Sequence, residues 1–270
     1  MASQGPVDPR PIGIFDSGLG GLTVLRSLAT RFPQETFLYL GDVARLPYGN
    51  KSPETIRKYG EQILHFLIQR NVKMLIIACN TASSVFLGDE SFAGLPLYNV
   101  IHPGARGASA VTKNKRIGVI ATSTTVKGGS YRKALQAIDP TLVVQEFSCP
   151  LFVPLAEEGM AGDEVTKIMA RRYLAPLQAQ QIDTLVLGCT HYPLLREDIA
   201  EVMGPAVTLI ESGEVLGDIL SKQLPSSGAA PTAEPGKIEI CVTDLTSHFQ
   251  QLAEKIMAPR TVGSLERVVV

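Results

Sequence analysis

The chain has 270 residues, 45% of them hydrophobic, which is enough for one large or two ordinary α/β domains with a substantial core. Its net charge of −1 comes with scattered basic residues, so no nucleic-acid surface is expected. No apolar run is long enough to span a bilayer, residues 1–10 are too polar for a signal peptide, and four cysteines fit reduced thiols in a cytoplasmic protein.

Residues 11–15 (PIGIF) are a short apolar run of the kind that forms a buried parallel strand, and it ends in DSGLGG at 16–21. A helical pattern covers 22–31. A second strand is expected at 36–40, followed by a loop from 42 to 53 that carries Pro47, Gly49 and Pro53. Ser52 reads as an N-cap with Pro53 in the first helical position, and helical periodicity runs on over 54–70. Strands are predicted at 73–78, 97–101, 115–120, 141–147 and 183–188, with helices at 130–137 and 163–178 between the later ones. Residues 226–236, rich in Pro, Ala, Gly and Ser, are expected to be a surface loop. A strand at 237–243, a helix at 247–257 and a last strand within 261–270 follow. Strands alternating with helices predict α/β architecture with parallel sheets and crossover helices.

The chain also resembles itself. IGIF at 12–15 returns as IGVI at 117–120, and MLIIACNT at 74–81 returns as TLVLGCTH at 184–191. Two matches in the same order predict two related α/β lobes.

Cys79 and Cys189 hold equivalent places in this repeat, each directly after an apolar strand. The carboxyl ends of parallel strands face the ligand crevice of such sheets. A segment expected to open a helix follows each cysteine. A helix N-terminus favours thiolate over thiol, and its free N–H groups can hold a carboxylate. A buried free cysteine is often only a small apolar side chain. The equivalence of these two, each followed by small hydroxyl or amide residues, favours a functional pair; Cys149 and Cys241 lack the setting and read as structural. Racemisation at an α-carbon requires a proton taken from one face and another delivered to the opposite face, and two thiols that exchange acid and base roles meet that need.

Asp16, at the end of the first strand, is either a proton acceptor and ammonium partner or a turn cap. In GLGG, Thr23 stands where a dinucleotide loop has its third glycine, and no P-loop motif is present. His191 lies two residues beyond Cys189 and is suited to assist it; the spacing lacks the paired CxxC of a zinc site. His65 and His248 read as helix-surface residues, and His102 precedes Pro103 in a connection between lobes. Glu157 and Glu158 either reach the cleft or begin a solvated helix.

Taken together, IGIFDSGLGG (12–21), GDVARLPYG (41–49), ACNTAS (78–83), CPLFVPLAE (149–157) and GCTHYPLL (188–195) resemble the glutamate racemases of the aspartate/glutamate racemase superfamily in order and spacing, over about residues 11–257. The resemblance implies two pseudo-symmetric lobes, residues 1–101 with 212–270 and residues 102–211, with the active site in the cleft between them. It implies interconversion of L- and D-glutamate without cofactor or metal, supplying D-glutamate for peptidoglycan, in a homodimer. Cys79 would handle the proton of the D-isomer with Asp16 in support. Cys189 would handle that of the L-isomer, supported by His191 and Glu157. Substrate contacts would come from Asp16, Ser17, Tyr48, Gly49, Asn80, Thr81, Thr190 and His191, with one or more of Thr122, Thr124 and Thr125. Some members require a peptidoglycan precursor as activator and carry a longer N-terminal segment; the segment before residue 11 is short, so that dependence is not expected. Two other readings are a racemase of another amino acid in the superfamily and a non-catalytic ligand-binding protein on this fold. The histidine after Cys189 and the PYG loop favour glutamate over the first, and the presence of both cysteines argues against the second.

Overall fold

The central apolar runs, at 12–16, 37–41, 74–77, 116–121 and 184–188, become strands buried on both faces. The computed structural model describes residues 8–224 and 235–270. In chain order the elements begin with β1 (Ile12–Asp16), α1 (Leu22–Arg31), β2 (Phe37–Gly41), α2 (Pro53–Gln69), β3 (Met74–Ile77), α3 (Asn80–Val85), β4 (Ser91–Phe92) and β5 (Leu95–Asn99). There follow α4 (Ile101–Val111), β6 (Arg116–Ala121), α5 (Ser123–Gly128), α6 (Ser130–Ile138), β7 (Val143–Ser148), α7 (Phe152–Glu157), α8 (Glu164–Ala179) and β8 (Thr184–Gly188). The last are α9 (Arg196–Met203), β9 (Thr208–Glu211), α10 (Ser212–Leu220), β10 (Ile238–Val242), α11 (Ser247–Met257) and β11 (Ser264–Arg267).

The strands form two sheets, in the orders β11-β10-β2-β1-β3-β5-β4 and β7-β6-β8-β9. Every pairing is parallel except β4 with β5. In the first sheet Ile12, Ile14 and Ile76 face a core shared with α1, α10 and α11, while Phe15, Leu75 and Ile77 face a core shared with α2. In the second sheet Val119 and Val186 pack toward α4 and α6, and Ile120 and Leu187 toward α8 and α9. Alternate residues of these central strands therefore serve opposite cores, and a near-continuous apolar run is what such a strand requires.

The internal similarity is carried by register. Ile12 pairs with Met74 and Phe15 with Ile77; in the second sheet Ile117 pairs with Thr184 and Ile120 with Leu187. Cys79 and Cys189 thus leave their sheets at matching positions, each two residues beyond the last of these partners.

Helices α1 and α11 run over the predicted residues, and Ser52 caps α2 by accepting the Thr55 N–H at 3.3 Å. The expected strand at 97–101 ends at Asn99, and Ile101 opens α4, where a simple connection around His102 was anticipated. That helix contains Pro103 and two glycines, so propensity is poor. Burial of Ile101, Ala105 and Ala108 against the second sheet holds it together. Helix α10 likewise escapes the sequence reading, and its Leu216 and Leu220 enter the core of the first sheet. Most of the proline- and alanine-rich stretch 226–236 lies outside the described residues. No helix of the described residues is long and apolar enough to cross a membrane.

Candidate active site

The carboxyl ends of β1 and β3 in one sheet and of β6 and β8 in the other border a cavity of about 1250 Å³. Of the residues singled out from the sequence, Ser17, Tyr48, Gly49, Cys79, Asn80, Thr81, Cys189, Thr190 and His191 line it. Asp16 and Glu157 do not; each stands one contact back from it.

Cys79 is the N-cap of α3. Its Sγ accepts the Ala82 N–H and donates to Ser17 Oγ, both at 3.5 Å. The expectation that the helix start lowers this thiol's pKa is not met. Burial, and then the negative charge of Asp16, push it up to about 12 against the opposing pull of Ser17 and the Ala82 N–H. Cys79 is therefore a thiol, an acid, at neutral pH.

Cys189 has different neighbours. His191 Nδ1 lies 3.8 Å from Cys189 Sγ, and His191 Nε2 lies 2.9 Å from Glu157 Oε1 at the end of α7. Burial works against a charged His191, but hydrogen bonding to Cys189 and Glu157 outweighs it and pushes the imidazole pKa up to about 10. The second thiol thus sits beside an imidazolium, and the first beside a carboxylate.

Asp16 is wholly buried. It accepts the Gly18 N–H at 2.9 Å and the Thr190 hydroxyl at 3.2 Å, so it caps its own turn and also binds the opposite sheet's loop. Burial raises its pKa, opposed by the charge of His191 and by the N–H groups of Gly18 and Gly21. Its register counterpart in the second sheet is Ala121, so no second carboxylate stands behind Cys189 in the same way.

The glycines of DSGLGG are explained by close approach, not by a phosphate. A Cβ on Gly20 would lie 2.5 Å from both His191 Nδ1 and Thr190 Oγ1, and one on Gly21 would lie 2.3 Å from Asp16 Cβ. Thr23, the residue that breaks the nucleotide-loop pattern, donates to the carbonyl of Thr190 at 3.0 Å and ties α1 to the second thiol's loop.

Tyr48 presents its ring to the cavity, but its hydroxyl donates to Asp42, which also binds Arg45 and Thr243. Burial and the Asp42 charge hold its pKa well above the usual phenol range. The carbonyl of Gly49 accepts from Thr124 Oγ1 at 2.6 Å, and Thr81 and Thr122 hydroxyls meet at 2.9 Å. Thr122 and Thr124 line the cavity, whereas Thr125 is fully buried behind Thr122 at 3.1 Å.

Asp42, Tyr131 and Ser212 were not singled out from the sequence. Asp42 does follow β2 as Asp16 ends β1, a signal that was available; Tyr131 lies on an amphipathic helix and carried none. His102 Nε2 contacts the carbonyl of Leu87 at 3.0 Å and does not itself line the cavity. His248 Nε2 bonds the main-chain carbonyl of Glu157 at 2.8 Å, and His65 packs edge-on against Phe92. Cys149 and Cys241 are buried in the cores. Among the described residues no three His, Cys, Asp or Glu side chains are grouped to hold a metal ion.

A family model described as Asp/Glu/Hydantoin racemase matches residues 19–217. The chain is 45% identical over 250 residues to a glutamate racemase of Geobacter metallireducens, covering 92% of this chain and 93% of that one. Among solved structures it is similar to glutamate racemase isoform RacE1 from Bacillus anthracis, with a TM-score of 0.89 and 36% identity over 97% of this chain and 98% of that one. Glutamate racemase from Francisella tularensis, solved in complex with D-glutamate, gives a TM-score of 0.87 and 35% identity over the same shares.

Proposed function

The chain belongs to the Asp/Glu/Hydantoin racemase family, among its glutamate racemases, and on that footing we propose that it interconverts L- and D-glutamate without a cofactor, using Cys79 and Cys189 as paired acid and base. The observation that carries this reading is that two thiols from register-equivalent strand ends of different sheets border one cavity. The two sheets with their helices are read as lobes, residues 1–101 with 212–270 and residues 102–211.

In the L-to-D direction Cys189 takes the α-proton while the Cys79 thiol supplies one to the opposite face. His191 stabilises the Cys189 thiolate, and Glu157 holds the imidazolium in place. In the reverse direction Cys79 must first give up its proton. Asp16, whose pKa is raised by burial, is the neighbour suited to receive it directly or to balance the substrate ammonium. Asn80 and Thr81 offer hydrogen-bond donors to the α-carboxylate, where charge accumulates as the proton leaves, and Thr190, whose hydroxyl is donated to Asp16, reaches it only through its main-chain N–H. We further read the protein as a cytoplasmic homodimer that supplies D-glutamate for peptidoglycan.

Circular dichroism of purified, chelator-dialysed protein with D-glutamate tests the reading. Racemisation is expected with no addition, and Cys79→Ser and Cys189→Ser should each lower turnover by at least roughly 10²- to 10⁴-fold. In deuterated water each remaining thiol should exchange the α-proton of one enantiomer preferentially. A single mutant that racemises near the wild-type rate would sink the two-thiol mechanism, and an inert wild type would sink the activity itself.

A further inference from the structure

A buried hydroxyl relay stands behind Asn80. Tyr131, on α6, is fully buried, and its hydroxyl lies 2.6 Å from Asn80 Oδ1 and 3.1 Å from Ser212 Oγ, the first residue of α10. Three elements therefore meet at one phenolic oxygen: α3, α6 and α10. The ring is packed closely: a Cβ on Gly188 would lie 3.0 Å from Tyr131 Cε2, and one on Gly104 3.1 Å from Tyr131 Cε1. Burial raises the phenol's pKa well above its usual range, so Tyr131 keeps its proton at any physiological pH.

A phenol has one proton to give. Asn80 Oδ1 receives it, and the Tyr131 oxygen is left to accept from the Ser212 hydroxyl. A carboxamide carries its acceptor and its two donors on separate atoms of one plane, so engaging Oδ1 fixes the plane and leaves the Nδ2 donors for another partner. Asn80 itself lines the cavity shared with Cys79 and Cys189.

We propose that Tyr131, braced by Ser212, is a positioning residue that locks the Asn80 amide with its N–H donors available to the cavity, so that position 80 receives a substrate carboxylate and not the ammonium. This rests on the reading of Asn80 as a substrate contact. Without the phenol the amide is free to turn over and offer its oxygen, which repels a carboxylate. Tyr131 acts through Asn80 and touches no reacting atom.

The test is steady-state racemisation of D- and L-glutamate by Tyr131→Phe, Ser212→Ala, Asn80→Ala, Asn80→Asp and the Tyr131→Phe/Asn80→Ala double variant, with a thermal melt of each. Phenylalanine keeps the ring in its slot. Y131F should raise KM roughly 3- to 10-fold, the worth of one buried hydrogen bond, with most of the loss in KM and not in kcat. S212A should move KM the same way by less, and serves in place of Y131F if that variant does not fold. In the N80A background Y131F should move KM no further, because its only route to the substrate is gone. N80D should weaken substrate more than N80A does, since a carboxylate then faces a carboxylate. An unchanged KM in a folded Y131F, or an effect that persists in full without Asn80, would reduce Tyr131 to a packing residue. An N80D variant that binds glutamate as well as wild type would reverse the assigned polarity. If N80A itself leaves KM unchanged, the substrate contact fails and the inference falls with it; an active wild type with a sensitive N80A and an indifferent Y131F removes the inference alone.

Discussion

His191 shows most directly how neighbours decide what a side chain does. Its pKa rises from 6.5 to about 10 in the folded protein, so the native state holds a proton that the unfolded chain releases at lower pH. The stabilisation is complete below pH 6.5 and is lost as pH rises through about 10. Cys79 acts in the same direction but higher, between 9.0 and about 12. Replacing His191 with asparagine should therefore lower the melting temperature most at pH 6–7, and the gap to wild type should close toward pH 10. Thermal melts across that range check this, and a gap that stays constant with pH would show that the imidazole is not charged in the fold. The same variant should lose roughly 10²-fold in kcat as the Cys189 thiolate loses its cationic partner.

At the scale of elements, the turn between β1 and α1 is built around the second sheet's loop. Tyr39 on β2 donates to the carbonyl of Gly18 at 2.7 Å, Asp16 caps the turn, and the backbone at Gly20 lies against Thr190 and His191. Gly20→Ala places a methyl 2.5 Å from groups that cannot yield without disturbing Cys189's partner. We expect a destabilisation of about 1–3 kcal/mol together with at least a tenfold fall in kcat/KM. Gly88→Ala, where nothing lies within 4 Å, should change neither, and a G20A enzyme indistinguishable from G88A would show that the turn has room to spare.

At the scale of the molecule, the two sheets are joined by hydrogen bonds around the cavity: Thr124 to Gly49, Thr81 to Thr122, Thr190 to Asp16 and Thr23 to Thr190. A ligand held between them should stabilise the whole by mass action, about 2.7 kcal/mol at a hundredfold excess over Kd. D-glutamate should raise the melting temperature of wild type and of the inert C79S variant by several degrees. Thr124→Val removes one cross-sheet bond at the cavity rim, so it should raise the glutamate concentration needed for that shift while leaving the ligand-free melt nearly in place. Calorimetry with and without D-glutamate measures both quantities; an unshifted dose response in T124V would make that bond incidental to binding.

Much of this was legible in the linear sequence because it depends on local pattern. Strands buried on both faces need continuous apolar runs, helices need caps such as Ser52, and a thiol at the end of a parallel strand is delivered to a crevice whatever the rest of the chain does. That placed Cys79, Cys189, Asp16 and His191 at strand ends, and the repeat of register followed from the repeat of sequence. Helix α4 was not legible, since its glycines and proline argue against a helix that only burial sustains. Nor were the polarity of Asn80, the choice of Thr122 and Thr124 over Thr125, or the high pKa of Cys79. Desolvation and long-range hydrogen bonding set these, and both are sums over neighbours distant in the chain. Sequence alone placed the thiols at their strand ends and paired Cys79 with Asp16 and Cys189 with His191; the tertiary structure decided the protonation of those pairs, because burial beside a carboxylate holds Cys79 as an acid and hydrogen bonds to Cys189 and Glu157 hold His191 as an imidazolium.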